Sequence, residues 1–298
     1  MDLHQIEIFC TLVRLKSFSK AAEALYLTQP TVSGHIKNLE AELDTRLLDR
    51  LGRRIIPTEA GNVLYRYGVQ MLSLREEARQ AIDSISGAVT GMLNIGGSTI
   101  PGAYILPSFI RAFKKRHPAA SIRLLIEDTE KIASAVLAGD LCLGVVGAEI
   151  IDPRLETHVF LKDELVIAAP PNHPWSNRKS VGTDDLKAEP FIIREEGSGT
   201  RRIMEERLRK AGVTSHDLNI VAVMGSSDAV RQAVRAGLGV SILSTRAIRD
   251  DVEAGRIAAL RLKGIQIERN FYIILLKGRS RSRLCSEFLK FLNTERRN

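Results

Sequence analysis

From Ala60 to Ile85 the apolar residues Ala60, Leu64, Tyr67, Met71, Leu74, Ala78, Ala81 and Ile85 recur at alternating steps of four and three. That spacing is the a/d seam of a heptad repeat, sustained for about three and a half repeats. A helix packed on its own domain shows a wider apolar stripe; a seam this narrow calls for a partner helix. The segment therefore reads as a dimerisation stalk, with Leu64, Tyr67, Met71, Leu74 and Ala78 at the contact positions. It also divides the 298-residue chain, because the apolar periodicity differs on its two sides.

Ahead of the stalk the pattern is helical. Leu3, Ile6, Phe9, Leu12 and Val13 predict an amphipathic helix from Leu3 to Leu15. Ser17 and Ser19 are N-cap candidates for a short helix of Ala21, Ala22, Ala24 and Leu25. Leu27-Thr28-Gln29 reads as a turn, and Pro30 suits the first position of the next helix, where its missing N–H costs nothing. That helix turns Val32, Ile36, Leu39 and Leu43 inward and Thr31, Ser33, His35, Lys37 and Asn38 outward. Two helices joined by a tight turn, the second exposing short polar donors, form the helix-turn-helix layout. Thr31, Ser33 and His35 are placed for base edges, and Thr28, Gln29, Pro30 and Lys37 for bases or phosphates. Beyond them, Leu47–Arg50 and Arg54–Pro57 predict two short strands around Leu51-Gly52-Arg53, a hairpin with a basic tip. Arg53 would meet DNA backbone or minor groove; Arg50 and Arg54 either join it or serve as structural ion-pair partners. Thr58 is the expected N-cap of the stalk.

After Ser86-Gly87 and Gly91 the chain alternates strand and helix. Met92–Ile95, Ile122–Ile126 and Leu141–Val146 predict strands, with helices carrying Ile105 to Phe113 and Ile132 to Leu137 between them. This βαβαβ run implies a parallel sheet. A second set follows in Leu165–Ala169, Phe191–Ile193, Ile220–Val223 and Val240–Leu243, with helices over Thr200–Ala211 and Ser227–Ala236. Asn270–Leu276 and Leu284–Leu292 remain as a late strand and helix, expected to cross back and complete the first lobe.

Bulk properties narrow the function. The formal net charge is +8 and suits a polyanionic partner; Arg46, Arg50, Arg53 and Arg54 face only Asp49 in their stretch. No apolar run approaches the roughly 20 residues of a membrane span, and no signal-peptide pattern opens the chain. The expectation is a cytoplasmic protein. Cys10, Cys142 and Cys285 are read as buried reduced thiols. No phosphate loop, dinucleotide fingerprint, nucleophile elbow or paired-histidine metal motif is present, and the six histidines are isolated. An enzyme, a cofactor and a metal are therefore not expected. A plain solute-binding protein would explain two lobes but not the helix-turn-helix or the heptads.

One family matches this order of parts. Phe18-Ser19-Lys20-Ala21-Ala22-Glu23-Ala24-Leu25, then Thr28-Gln29-Pro30-Thr31-Val32-Ser33 and Ile36-Lys37-Asn38-Leu39-Glu40, resemble the head of LysR-type transcriptional regulators. So do Leu47-Leu48-Asp49-Arg50, Arg53-Arg54 and Pro57-Thr58-Glu59-Ala60-Gly61. The resemblance implies an α/β protein with three parts. A winged helix-turn-helix occupies residues 1–58, a long linker helix 59–90, and a two-lobed, periplasmic-binding-protein-like effector domain 91–298. Lobe I would comprise residues 91–162 plus 268–298, and lobe II 163–267. The resemblance further implies double-stranded DNA with an inverted repeat, a homodimer or homotetramer, and a small effector between the lobes. Gly34, His35 and Asp44 depart from the family pattern, which commonly has a long polar residue, Gln and Gly there.

The chain itself nominates the walls of such a cleft. Ser98-Thr99 precede Pro101 at a strand-to-helix junction; Ser198-Gly199-Thr200-Arg201 repeat the arrangement, and Ser226-Ser227 form a third junction. Helix N-termini with hydroxyls favour an anion, so Ser98, Thr99, Ser198, Gly199, Thr200, Arg201 and Ser226 are the candidate effector residues. Glu195 and Glu196 oppose an anion and leave a zwitterion open.

Overall fold

A computed structural model describes residues 1–51, 54–83 and 90–296, the side chains of 50, 51, 54, 77, 80, 81 and 83 excepted. The chain forms two compact units, one built on residues 1–87 and the other on the remainder apart from 138–140.

In the first unit α1 (Leu3–Leu15), α2 (Phe18–Ala24) and α3 (Gln29–Glu42) follow in order. The Asp2 carboxylate accepts from the Gln5 N–H, and Gln5 returns the bond to the Asp2 N–H, a closed capping box that starts α1 where its apolar stripe begins. Ser17 caps α2, and Thr28 caps α3, so Gln29 rather than Pro30 is the first helical residue. Ile6, Phe9, Leu12, Ala21, Val32, Ile36 and Leu39 close the core. Leu43, expected inside, is 37% exposed because α3 has already ended and Leu43 is its C-cap. Asp44 follows with φ +45°, so the left-handed turn that the family makes with glycine is kept by an aspartate, a residue that tolerates it.

Strands β1 (Leu48–Leu51) and β2 (Arg54–Pro57) pair antiparallel, Asp49 facing Ile56. Thr58 accepts from the Gly61 N–H at 3.0 Å and starts α4 (Glu59–Asp83). Gly61 is required here: a Cβ would lie 2.0 Å from the Leu47 carbonyl oxygen. The seam on α4 is divided. Ala60 and Leu64 pack onto the head core beside Tyr65, Val69 and Leu72. Burial beside this core pushes the Cys10 thiol and the Tyr65 phenol each up to about 12. Tyr67, Met71, Leu74 and Ile82 stay 39–67% exposed in the single chain. The Ala81 side chain and Ile85 lie outside the described residues.

In the second unit β3 (Gly91–Ser98) pairs parallel with β4 (Ala120–Glu127) and β5 (Leu143–Val146). A π-turn at Pro101–Ile105 leads into α5 (Leu106–Arg116), and α6 (Thr129–Ala138) joins β4 to β5. The strand β3 runs three residues past the expected Ile95. Gly96 and Gly97 read as loop, yet they are strand residues whose missing Cβ atoms leave room for Ile132 and for the Gly102 backbone. The long strand β6 (Leu155–Ala169) then leaves this lobe for the next. There β7 (Ser180–Val181), α7 (Thr183–Ala188), β8 (Pro190–Arg194), α8 (Gly199–Lys210), β9 (Asn219–Met224), α9 (Ser227–Arg235), β10 (Ser241–Ser244), α10 (Thr245–Glu253) and β11 (Ala258–Leu262) follow. Finally β12 (Ile267–Leu276) returns antiparallel along β6 and β5, and α11 (Arg283–Glu295) covers the first lobe. The main sheet order β4-β3-β5-β12-β6-β11-β7 carries both lobes, with β6 and β12 crossing between them. Separate cores form on either side, around Phe113, Phe271 and Phe288 and around Trp175, Phe191 and Met204.

Cys142 and Cys285, remote in sequence, are neighbours under α11, the Cys285 Sγ 4.0 Å from the Cys142 carbonyl oxygen. Contact with Cys285, and then burial, raise the Cys142 thiol well above its ordinary value. All three cysteines are free thiols. No helix among the described residues is long and apolar enough to cross a membrane.

Candidate functional site

On α3 the inward residues Val32, Ile36 and Leu39 set which side faces out. Thr28, Gln29, Pro30, Thr31, Lys37 and Asn38 are exposed. Ser33 and His35 lie half-buried on the two flanks, and the His35 ring meets His4 edge-on at 5.4 Å. Between those flanks sits Gly34, where a Cβ would meet nothing within 4 Å. The outermost point of the helix is therefore bare backbone, bracketed by Thr31 and Asn38 one turn away on either side. Thr28 and Thr31 hydroxyls share a 2.8 Å hydrogen bond, and Ser19 reaches Gln29 at 3.4 Å, so the polar start of α3 is braced from its own turn and from α2. Arg50 and Arg54 lie on the hairpin strands; Arg53, with Gly52, lies outside the described residues.

The second unit gathers most of the remaining candidates into one place. Ser98 ends β3 and Thr99 follows it, Thr129 starts α6, Gly147 follows β5, and Ser198, Gly199 and Thr200 start α8. These chain positions line a single small cavity together with Arg194 of β8 and Arg269 of β12. It holds about 10 Å³, room for one water molecule at most. Toward solvent it widens into a cleft of about 380 Å³ walled by Thr129, Glu130, Glu196, Ser198, Arg201 and Glu205, among others.

Two guanidiniums fill the inner cavity. Arg194, 3% exposed, donates from Nη1 to Thr99 at 3.1 Å and to Ser227 at 2.5 Å, while its Nε and Nη2 hold Glu195 at 2.6 Å each. Arg269 donates from Nε to Asp163 at 2.9 Å and from Nη1 to Thr200 at 3.0 Å. Asp163 is itself fully buried and accepts from Ser244 at 2.8 Å. Burial lowers the Arg269 pKa from its ordinary value, opposed by Asp163, and the charge of Arg194 adds to the lowering. The two cations thus feel one another across a desolvated space. Thr129 Oγ1, buried here, lacks a hydrogen-bond partner among the described residues, while Arg269 Nη2 makes no well-aligned hydrogen bond but lies 2.8 Å from the Asp163 carboxylate in an ion pair. Buried polar groups are nearly always satisfied, so the unpartnered Thr129 hydroxyl beside the Arg269 guanidinium marks a place where a further acceptor fits.

Other candidates sit differently. Arg201 pairs with Glu205 at 2.8 Å and lines the wider cleft, not the inner cavity. Ser226 caps α9 through the Ala229 N–H, and it is its neighbour Ser227, 1% exposed, that reaches Arg194. Glu195 is spent on Arg194, and Asp128 on Lys131 at 3.0 Å, so these two carboxylates do not stand free against an anion.

Known proteins share this order of domains. Residues 3–62 match the family described as bacterial regulatory helix-turn-helix protein, lysR family, and residues 86–297 match the LysR substrate binding domain. The chain belongs to the LysR family. It is a DNA-binding transcriptional regulator with an effector-binding domain, and its family is one of regulators, not enzymes.

This LysR-type regulator is 33% identical over 297 residues to the probable RuBisCO transcriptional regulator of Cyanidium caldarium, covering 97% of this chain and 94% of the relative. Among solved structures, a full-length OxyR variant from Pseudomonas aeruginosa superposes with a TM-score of 0.71 at 20% identity, covering 100% of this chain and 95% of that one. The regulatory domain of CcmR from Synechocystis PCC6803, solved in complex with 2-PG, matches 70% of this chain and 99% of its own. Its TM-score is 0.64 and its identity 26%. The two-lobed α/β architecture of the regulator is that of its structural neighbours.

Reading the sequence placed Ser227 at the third junction but chose its neighbour Ser226 as the site residue, and it missed Arg194, Arg269, Asp163 and Thr129. A lone arginine in a strand carries no periodic signal, and the Arg269–Asp163 pair spans 106 positions of chain. Thr129 alone had a local sign, the strand-to-helix junction after β4.

Proposed function

We propose that residues 1–58 of this regulator read an inverted-repeat promoter site, that residues 59–90 pair two chains or four, and that residues 91–298 sense a small anion. In this reading lobe I is 91–162 plus 268–298, lobe II is 163–267, and the chain works in the cytoplasm on double-stranded DNA. The observation that carries the anion is the pair of buried guanidiniums, Arg194 and Arg269, whose Nη1 hydrogens now go to Thr99, Ser227 and Thr200 while the rest of each fork holds Glu195 or Asp163. An oxyanion accepts charge-assisted hydrogen bonds that are stronger than those to hydroxyls, so it would take over these bonds as the cavity opens to admit it. Ser98, Thr99, Ser198, Gly199 and Thr200 supply hydroxyls and helix N-terminal N–H groups around it; Arg201 and Ser226 stand at the periphery. The relatives' names nominate RuBisCO promoters as the DNA, and the CcmR complex nominates 2-PG as the first anion to try.

Calorimetry on the full chain tests the sensing half. The Thr99→Val, Thr200→Val variant should bind the anion about tenfold more weakly, since each buried bond to a charged group contributes about 1.5–3 kcal/mol and part of that is recovered on relaxation. Unchanged affinity, or preference for a neutral or cationic metabolite, contradicts it.

The DNA half has its own signature. Ser33→Ala and His35→Ala should relax sequence preference, whereas Lys37→Ala and Arg53→Ala should weaken binding to all sequences and each lower the salt slope by about 1. Equal operator affinity for wild type and the combined Ser33, His35, Arg53 alanine variant in a gel-shift titration would remove the assignment.

A further inference from the structure

Along β6 successive side chains point to opposite faces. Asp163 faces Arg269, which lines the inter-lobe cavity; Glu164 and Val166 face the other way, into a groove of about 580 Å³ between β6, α10 and β11. This groove and the inter-lobe cavity have no lining residue in common. Its volume falls in the range of small-molecule sites, about 300–1,000 Å³.

The lining is amphipathic in a definite order. Val166, Ile248 and Leu260, buried core residues, underlie the floor, and its open apolar surface comes from Val252, 38% exposed, and the exposed Ala259. Arg178, Lys179, Arg249 and Arg261 line the rim. Arg261 is held by Glu164 at 3.1 Å and Arg178 by Asp185 at 3.6 Å. Lys179 and Arg249 have no ion-pair partner among the described residues, and Glu253 is the one acid of the lining not held by a base. Four cations thus face two carboxylates around an apolar floor, and two of the cations are uncommitted.

We infer that this groove is a second ligand site on lobe II, for an amphipathic monoanion: a carboxylate or sulfonate on an apolar body. The apolar body would lie on Val252 and Ala259, over the buried Val166, Ile248 and Leu260, while Lys179 and Arg249 hold the charged head at the rim. The apolar floor disfavours a compact, highly charged phosphate, which would leave it uncovered, and the paired rim cations disfavour a neutral apolar molecule, which would leave Lys179 and Arg249 partly desolvated without a counter-charge. The site does not depend on the anion reading of the inter-lobe cavity.

Octanoate and octanol are the probes, titrated calorimetrically into the full-length chain. Octanoate should bind, with octanol at least tenfold weaker. The Lys179→Glu, Arg249→Glu variant should lose at least tenfold in octanoate affinity, and Lys179→Gln, Arg249→Gln should lose several-fold. Both side chains are on the surface, so these variants keep the fold. The Thr99→Val, Thr200→Val variant should bind octanoate as wild type does. The inference is overturned if octanoate does not bind, if octanol binds equally well, if the charge variants leave affinity within twofold, or if the threonine variant rather than the rim variants loses it.

Discussion

Arg269→Met will lower the stability of the effector module by about 3 kcal/mol, because it leaves the buried carboxylate of Asp163 without its charged partner. Asp163 is fully buried and Arg269 is 2% exposed, with 2.8 Å between Nη2 and the carboxylate. What remains to Asp163 after the change is the Ser244 hydroxyl and the longer 3.7 Å approach of Arg246, which is why the figure sits at the low end of the range for breaking a buried pair. Taking the two charges out of water is itself costly, so removing both should cost far less than removing one. Asp163→Leu combined with Arg269→Met is therefore expected to recover most of the lost stability while losing the anion site. Urea unfolding of the full chain, following the effector-module transition, measures this. A single variant that unfolds at the wild-type urea concentration, or a double variant as unstable as the single one, contradicts the buried-pair account.

Met71→Asp with Leu74→Asp is expected to reduce the particle mass to that of one 33.0 kDa chain. The two residues are 39% and 61% exposed on α4, on the side away from the head, and they continue a stripe through Tyr67 and Ile82. Leu64 is a poor probe of pairing, because it packs on the head core and its loss would unfold the head first. Paired heads gain avidity of about 10²–10⁴ over one head, so the operator affinity of the variant should fall by at least about 100-fold. Light scattering and gel shift read the two effects on the same sample. Wild-type mass in the variant would refute pairing through this face.

Local signals in the sequence located much of the architecture. The α1 stripe, the Ser17 cap and the Thr58 cap are each written within a few residues, and those helices begin where they stand, whereas Thr28, read as part of a turn, proves to be the cap of α3. The long-range parts were harder to read. The first ten residues of β6 alternate few apolar side chains, Leu155 and Phe160 being the buried ones, because this strand is held by β12 rather than by a two-sided apolar core. Likewise α10 and β11 were not anticipated, since their apolar residues are few and interrupted by Arg246, Arg249, Asp250 and Asp251; the buried Asp251 carboxylate ties α10 to Arg231 and Arg256. The candidate site divides the same way. Hydroxyls at strand-to-helix junctions were legible as a set, and the structure brings Ser98, Thr99, Ser198 and Thr200 together. The two arginines that give the cavity its charge come from strand ends whose proximity only the folded sheet creates. The stalk shows the limit of a one-dimensional repeat: a single a/d seam served two surfaces, its first positions going to the head and its later ones to solvent.

In the proposed reading, an anion held by Arg194 and Arg269 changes how the head engages DNA. Quantitative footprint titration on a RuBisCO promoter, with and without saturating 2-PG, tests it most directly. Wild type should change its binding midpoint by at least about fivefold, and the Thr99→Val, Thr200→Val variant should bind the same DNA with little or no response to 2-PG. A wild type indifferent to every anion tried, or a variant that responds as fully as wild type, would contradict it.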